Sequence, residues 1–291
     1  MLSQFITNGI CSGALYAIVA LGFGLIYNTT NVFHFAHGAV YTVSAYLTFL
    51  FLIILKIPPL ISILLALILT TLFGVLIQLT VYQPLEDKKS SPPTFLMSSF
   101  GVYLFTINLI ALIFGNEVKI INSGIEKTFS FGDIILTRIQ IISLITFIII
   151  TILYFLFKRL KIGKLITAYS NNPDLVEVLG WNGKKIKITV YALGSLLAGV
   201  SSILSALDIG MDPYVGMHAL LISAVAVIIG GVKISEGAIV GGLTLGILQS
   251  LVIWQISAKW SDAFIFIILI IFLLFKPEGI LGKKLRIEET T

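Results

Sequence analysis

Positions 9–27 of the chain read GICSGALYAIVALGFGLIY and carry no charged side chain. A helix needs about 20 mostly apolar residues to cross the hydrocarbon core of a bilayer. The uncharged stretch continues in both directions, because the first Asp, Glu, Lys or Arg of the chain is Lys56. Runs of this length favour helices over barrel strands, which alternate apolar and polar residues over about 10 positions. The beginning of the chain therefore predicts membrane-spanning helices.

The composition of all 291 residues indicates the same class of protein. Hydrophobic residues make up 57%, charged residues make up 11%, and the mean hydropathy is +1.05. A soluble domain has about 25% charged residues, so this chain lacks the polar surface that a soluble fold exposes. The same values exclude a disordered chain, and the single cysteine, Cys11, cannot form the internal bridges of a secreted disulfide scaffold.

Hydropathy divides the chain into nine candidate spans. The last one is short, and the one that follows Asp212-Pro213 could be a re-entrant element, so we expect between eight and ten crossings. The prediction is an all-α polytopic bundle built as one membrane domain over residues 1–291. The candidate spans are 9–27, 34–55, 60–81, 95–114, 139–157, 188–207, 215–232, 238–256 and 260–275.

The basic residues predict the orientation of the bundle. Of the 19 Lys and Arg residues, 14 fall in segments 82–94, 158–187, 233–237 and 276–291, which the nine spans place on one side. The side richer in Lys and Arg is normally cytoplasmic, so we expect the N-terminus outside and the C-terminus inside. Attraction to an anionic lipid leaflet explains the net charge of +5. Membrane lipids, and no nucleic acid, are therefore the expected contacts of these charges.

A short helix with marked ends is predicted at 172–180. Asn172 can accept a free backbone N–H as the N-cap, and Pro173 suits the first helical position because its missing N–H is not needed there. Asp174 favours the positive end of the helix. Gly180 supplies the left-handed residue that ends it.

The apolar face of this helix leaves two interpretations open. Leu175, Val176, Val178 and Leu179 form one face, and a helix this short is marginal in water unless something covers that face. The cover could be the membrane domain itself or the lipid interface. It could also be a soluble partner, because the helix belongs to 158–187, the largest inside loop.

Signatures of catalysis and of metal binding are missing from the sequence. It contains no Gly-x-x-x-x-Gly-Lys-[Ser/Thr] phosphate loop, no Cys/His cluster and no Gly-x-Ser-x-Gly elbow. His34 and His37 share a helix face but are too few to hold a metal. We therefore expect no catalytic residue, no metal and no cofactor in this chain.

Ionisable residues inside membranes usually mark ion or proton relays, and these spans contain almost none. Asp208, Asp212 and Asp262 fall at predicted outer ends, where solvation accounts for them. Their position disfavours a proton-driven carrier and leaves a sodium carrier possible. Glycines instead cluster around the turn between two late spans, which predicts close helix packing; they are Gly230, Gly231, Gly237, Gly241, Gly242 and Gly246.

Several motifs in order make the chain resemble the LivH-type permeases of branched-chain amino-acid ABC importers over nearly its whole length. His34 stands where this family usually has Asn, and Lys233–Glu236 stand where it usually has Gly-Ser-Ile-Pro. The motifs are Asn8-Gly9, Gly13 to Ala17, Ala20 to Gly22, Asn31 to Gly38, Pro173 to Gly180, the late glycines, and Lys276 to Gly282.

The resemblance implies a set of partners. They are two cytoplasmic ATPases that hydrolyse ATP, a second related permease or a copy of this chain, and an extracytoplasmic binding protein. It also implies a multi-pass protein of a prokaryotic plasma membrane, and alternating access driven from the cytoplasmic side. For coupling to the ATPase it points to the helix at 172–180, with the residues Pro173, Asp174, Leu175, Val178, Leu179 and Gly180.

A path for zwitterions needs hydrogen-bonding groups without tightly held charge. Tyr16, Asn31, His37 and Ser44 are the candidates, although helix packing with internally satisfied polar atoms explains each of them as well. Two other functions stay open: an importer permease for urea or short amides, and a solitary secondary transporter driven by an ion gradient.

Overall fold

The computed structural model describes residues 1–122 and 127–282. Stretch 283–291, which carries three of the basic residues counted for orientation, lies outside the described residues, as does the side chain of Asp262. The helices are α1 Leu2–Thr30, α2 Ala36–Phe49, α3 Pro59–Ile77, α4 Gln83–Asp87, α5 Pro92–Phe114, α6 Arg138–Arg159, α7 Lys161–Asn171, α8 Pro173–Val178, α9 Gly183–Ile209, α10 Val215–Gly230, α11 Ser235–Gln255 and α12 Ser261–Phe275.

The described helices confirm the prediction of a helical membrane bundle. Seven of them are long and apolar enough to cross a membrane, and two shorter apolar helices, Val215–Gly230 and Ala263–Phe275, complete the predicted order. Segment 215–232, which could have been broken, forms the continuous helix α10 of 16 residues. Turns of π-helix, Leu50–Ile54 and Gln78–Tyr82, extend α2 and α3.

The nine apolar helices run alternately between two ends of the bundle. At one end, Ser250 donates to the Phe5 carbonyl and Gln4 bonds to Ile135; we call it the Met1 end. At the other, the backbone N–H of Ile280 donates to the Ile229 carbonyl. That end carries α4, α7 and α8, and we call it the α8 end.

The centre of the bundle is a seam between α1 and α11, which run antiparallel. A Cβ atom on Gly246 would lie 2.3 Å from Gly13 Cα, and one on Gly242 would lie 2.5 Å from Ala17 Cα. Real Cβ atoms do not approach backbone atoms so closely, so glycine is required at both positions. The glycine clusters therefore serve close packing, as their spacing predicted.

Two elements correct the sequence-based description. A β-hairpin, Thr128–Phe131 paired antiparallel with Ile134–Thr137, lies in the connection between α5 and α6 at the Met1 end. Its strands have four residues each and were too short to predict. Segment 158–187 is largely helical rather than a loop, because α6 continues to Arg159, α7 follows at once and α9 begins at Gly183.

Candidate functional site

Helix α8 has the ends that its sequence predicts, although it is shorter than 172–180. The side chain of Asn172 accepts from Leu175 N at 3.0 Å, and Pro173 occupies the first turn. Gly180 follows with φ +89°, a left-handed conformation that glycine adopts without strain. The helix is thus held in shape by local interactions from Asn172 to Gly180.

The apolar face of α8 is divided between two environments. Val176 is 4% exposed and lies in the core with residues of α7 and α9. Leu175, Val178 and Leu179 are 54%, 84% and 68% exposed, and Trp181 beside them is 54% exposed. The prediction that Val176 shares one face with the other three was therefore wrong, because Val176 alone turns toward the bundle. The exposed four form what we call the α8 surface.

Helix α8 packs on α7, a helix that the sequence did not predict. Gly163, Ile166 and Tyr169 are buried at spacings of three residues, a helical signal hidden by the surrounding Lys and Ser residues. Tyr169 Oη donates to Glu177 Oε1 at 3.3 Å and joins α7 to α8. Burial raises the pKa of the Tyr169 hydroxyl, and Lys187 opposes that shift, so the phenol is a neutral donor.

Two ion pairs fix α4 to the first turns of α9 at this end. Lys187 Nζ lies 2.8 Å from Glu86 Oε2, and these side chains are 19% and 22% exposed. Lys184 Nζ lies 3.0 Å from Asp87 Oδ1, and these are 53% and 55% exposed. Exposed pairs contribute about 0–1 kcal/mol, so the pair with Glu86 is the stronger connection.

A buried hydrogen-bond chain extends from the π-helical turn at the end of α3 toward the connection between α1 and α2. Tyr82 Oη donates to Ser99 Oγ at 2.8 Å, and His34 Nδ1 lies 2.7 Å from Tyr82 Oη. Because the Tyr82 proton is directed at Ser99, Nδ1 is the donor of the bond to Tyr82. Ser99 Oγ also accepts from Ala36 N at 3.0 Å. The chain thus joins α3, α5 and the start of α2, and His34, which stands where the family usually has Asn, takes part in it through its bond to Tyr82.

A polar cleft of about 130 Å³ lies between α1, α2, α9 and α10 and extends toward the Met1 end. Tyr16 lines it and donates to Gln249 Oε1 at 2.7 Å. One acidic and one imidazole side chain line the cleft, from α9 and α10, and the sequence predicted neither of them as a path residue. Its polar lining consists of Ser12, Tyr16, Tyr41, Ser201, Ser205, Asp208 and His218.

The other three candidate path residues lie away from this cleft. Asn31 is exposed and caps α1 in a left-handed conformation, and its backbone N–H donates to the Tyr27 carbonyl at 2.8 Å. His37 is fully buried with Nε2 3.3 Å from the Val19 carbonyl, and Ser44 donates to the Gly199 carbonyl at 3.2 Å. These contacts join α2 to α1 and α9. Within residues 1–122 and 127–282, no group of three His, Cys, Asp or Glu side chains could hold a metal.

Residues 5–273 match the protein-family model described as the permease component of the branched-chain amino acid transport system. The chain belongs to this family. It is 29% identical to the high-affinity branched-chain amino acid transport permease BraD of Pseudomonas aeruginosa, over 96% of this chain and 95% of BraD. It is 28% identical to the probable permease LivH of Methanocaldococcus jannaschii, over 94% of this chain and 91% of that protein.

A solved structure has the same overall fold as this permease. PsaBC from Streptococcus pneumoniae, in complex with Fab, matches with a TM-score of 0.55 over 96% of this chain and 97% of the other, at 16% identity. Membership of the family makes the chain a multi-pass transport subunit rather than an enzyme. Permeases of this class work in general with ATPases and substrate-binding proteins.

Proposed function

We propose that this permease is the membrane subunit of an ATP-driven importer of branched-chain amino acids. The observation that carries the proposal is the α8 surface, which exposes three aliphatic side chains and Trp181 at the α8 end of the bundle. Contiguous apolar surface exposed to water indicates a protein contact. The proposed occupant is one of two cytoplasmic ATPases, so the α8 end is assigned to the cytoplasm and Met1 to the outside.

The coupling residues have separate tasks in this proposal. Leu175, Val178 and Leu179 enter the ATPase, while Pro173, Asp174 and Gly180 hold the helix in shape. Closure of the ATPase dimer moves α8, and Val176 and the Tyr169–Glu177 hydrogen bond transmit the movement to α7 and α9. The ion pair of Lys187 with Glu86 carries it on to α4. The permease itself needs no cofactor for this step.

The polar cleft near Tyr16 is the proposed start of the substrate path. An amino acid carries an ammonium and a carboxylate group, and the cleft is lined by several hydroxyl groups that can form hydrogen bonds with either of them. His37 and Ser44 hold α2 against its neighbours beside this path, and Asn31 ends α1 at its far side. A binding protein at the Met1 end delivers the substrate, and a second permease, related or identical, completes the channel.

Affinity purification of the tagged permease from mild detergent, followed by mass spectrometry, tests this assembly. Recovery of an ATPase and a permease partner supports the importer, and recovery of the chain alone, while a control importer stays intact, supports a solitary carrier. Uptake of leucine and of urea into proteoliposomes that contain the recovered complex and its binding protein then separates the substrate classes. Transport of urea without leucine contradicts the proposed substrate.

A further inference from the structure

An apolar groove of about 410 Å³ runs between α6 on one side and α1 and α9 on the other. Leu21 and Leu25 of α1 form its floor, Leu153 lies on the α6 side, and Leu193 and Val200 lie on the α9 side. Because these helices cross the membrane, the mouth of the groove opens to the hydrocarbon of the bilayer. Its lining therefore suits an alkyl chain.

Helix α6, on one side of the groove, lies at the edge of the bundle. Of the apolar window of α6, 11% is buried, against 78% for α1. A groove of this kind loses dispersion contacts with both walls unless something fills it.

A polar cavity of about 130 Å³ adjoins the groove at the α8 end. Leu25, Tyr154 and Phe157 line both, so an apolar channel leads into a polar chamber. Lys158 and Lys233 line the chamber, and Lys158 pairs with Glu236. The two cavities together have the shape and polarity of an amphipathic ligand.

The rim of the groove carries further positive charge. Arg159 and Lys161 flank Leu160, which itself lines the groove, and Lys164 follows on α7. All three cations are exposed, and they form no ion pair within the described ranges 1–122 and 127–282. The ligand that complements this rim is therefore an anion.

We propose that the groove binds an anionic phospholipid of the leaflet at the α8 end. One acyl chain lies along the groove, and the phosphate lies beside Arg159, Lys161 and Lys233. Basic pockets between transmembrane helices bind anionic headgroups by this combination of charge and buried alkyl chain. The lipid fills the gap beneath α6 and joins it to α9, so it supports the segment that continues into α7 and α8.

Native mass spectrometry of the purified permease, titrated with phosphatidylglycerol or phosphatidylcholine of equal chain length, tests the site. Phosphatidylglycerol adducts should persist at lower lipid concentration. The variant Arg159→Gln/Lys161→Gln should weaken their retention by about 5-fold for each cation removed. The matched control is Lys88→Gln/Lys89→Gln, which removes two exposed cations of the same end away from the groove and should retain the lipid.

The groove itself is tested by Val200→Trp, which fills it and should lower retention of phosphatidylglycerol while the headgroup cations remain. Thermal unfolding of this variant must match the unmodified protein, and Val200→Phe replaces it where it does not. Equal retention of the two lipids, or equal loss in the charge variant and its control, overturns the proposal. So does disulfide cross-linking of Leu196→Cys to a second permease in the complex, which would assign the groove to a protein helix.

Discussion

Helices α1 and α6 are both long and strongly apolar, yet they occupy opposite situations. Of their apolar windows, 78% of α1 but 11% of α6 is buried. Helix α1 contains Gly9, Gly13, Gly22 and Gly24, whereas α6 contains neither glycine nor alanine. Small residues let backbones approach, since lipid is as apolar as leucine and gives no hydrophobic drive to helix association. Small-residue content, rather than hydropathy, therefore separates the central helix from the peripheral one.

The difference also separates two tasks. The seam of α1 and α11 holds the bundle together by backbone contact. The arm formed by α6, α7 and α8 packs against the bundle on one side and exposes apolar side chains on the other. Substitutions in the seam should therefore affect folding, and substitutions in the arm should affect partners.

Gly246→Leu should give the largest effect. The added side chain meets the Gly13 backbone, which cannot rotate away, so the cost should exceed the about 1–3 kcal/mol typical of overpacking. We expect little monodisperse protein by size-exclusion chromatography in detergent. Gly101→Leu is the matched control, because a Cβ atom there meets nothing within 4 Å. Equal yields from both variants would contradict a rigid seam.

The sequence predicted contacts between neighbouring residues and failed to predict contacts between distant ones. The ends of α8 were predictable because Asn172, Pro173 and Gly180 act through their own backbone neighbours. The seam was predictable in kind, because clustered glycine has few other uses in a membrane helix. Which glycines meet was not, since Gly13 and Gly246 are far apart in sequence.

Other features depended on tertiary structure and were missed or misjudged. The inward turn of Val176 is decided by α7, whose own apolar pattern is short and interrupted by lysines. The bond of His34 to Tyr82 joins residues that no local pattern connects. The placing of Tyr16 in the cleft, and of His37 and Ser44 in helix contacts, depends on how four helices meet.

Leu179→Asp should abolish transport while leaving the bundle intact. The side chain is 68% exposed, so the variant should insert into the membrane and keep the melting temperature of the unmodified permease. A carboxylate buried in the ATPase interface should cost about 2 kcal/mol or more, which lowers affinity about 30-fold. Copurification of the ATPase and uptake in proteoliposomes measure the two consequences.

Val118→Asp is the control for this substitution, because it places the same charge on a residue 62% exposed at the Met1 end. It should keep binding of the ATPase, because it lies at the opposite end of the bundle from the α8 surface. Full activity of Leu179→Asp would remove the α8 surface from coupling.

Tyr82→Phe should destabilise the protein by a smaller amount. The hydroxyl joins His34 and Ser99, and its loss leaves buried polar atoms with fewer partners, at a cost of about 1–3 kcal/mol. Thermal unfolding in detergent should reveal this loss. Tyr214→Phe, on an exposed tyrosine, should leave the melting temperature unchanged. A melting temperature unaffected by both would mean that the buried chain adds no stability.

The ion pairs between α4 and α9 give the smallest predicted effects. They allow a partly buried ion pair to be compared with an exposed one at the same end of the bundle. Lys184→Met should change the free energy of unfolding by less than about 0.5 kcal/mol, since its pair with Asp87 is more than half exposed. Lys187→Met should cost more, about 1 kcal/mol after solvent screening, because it leaves the Glu86 carboxylate sheltered without its cation. Adding Glu86→Gln to Lys187→Met should restore part of the loss, and denaturant unfolding measures each step. If the two lysine variants lower the free energy of unfolding equally, burial does not strengthen the ion pair with Glu86. The contact between α4 and α9 then depends on apolar packing.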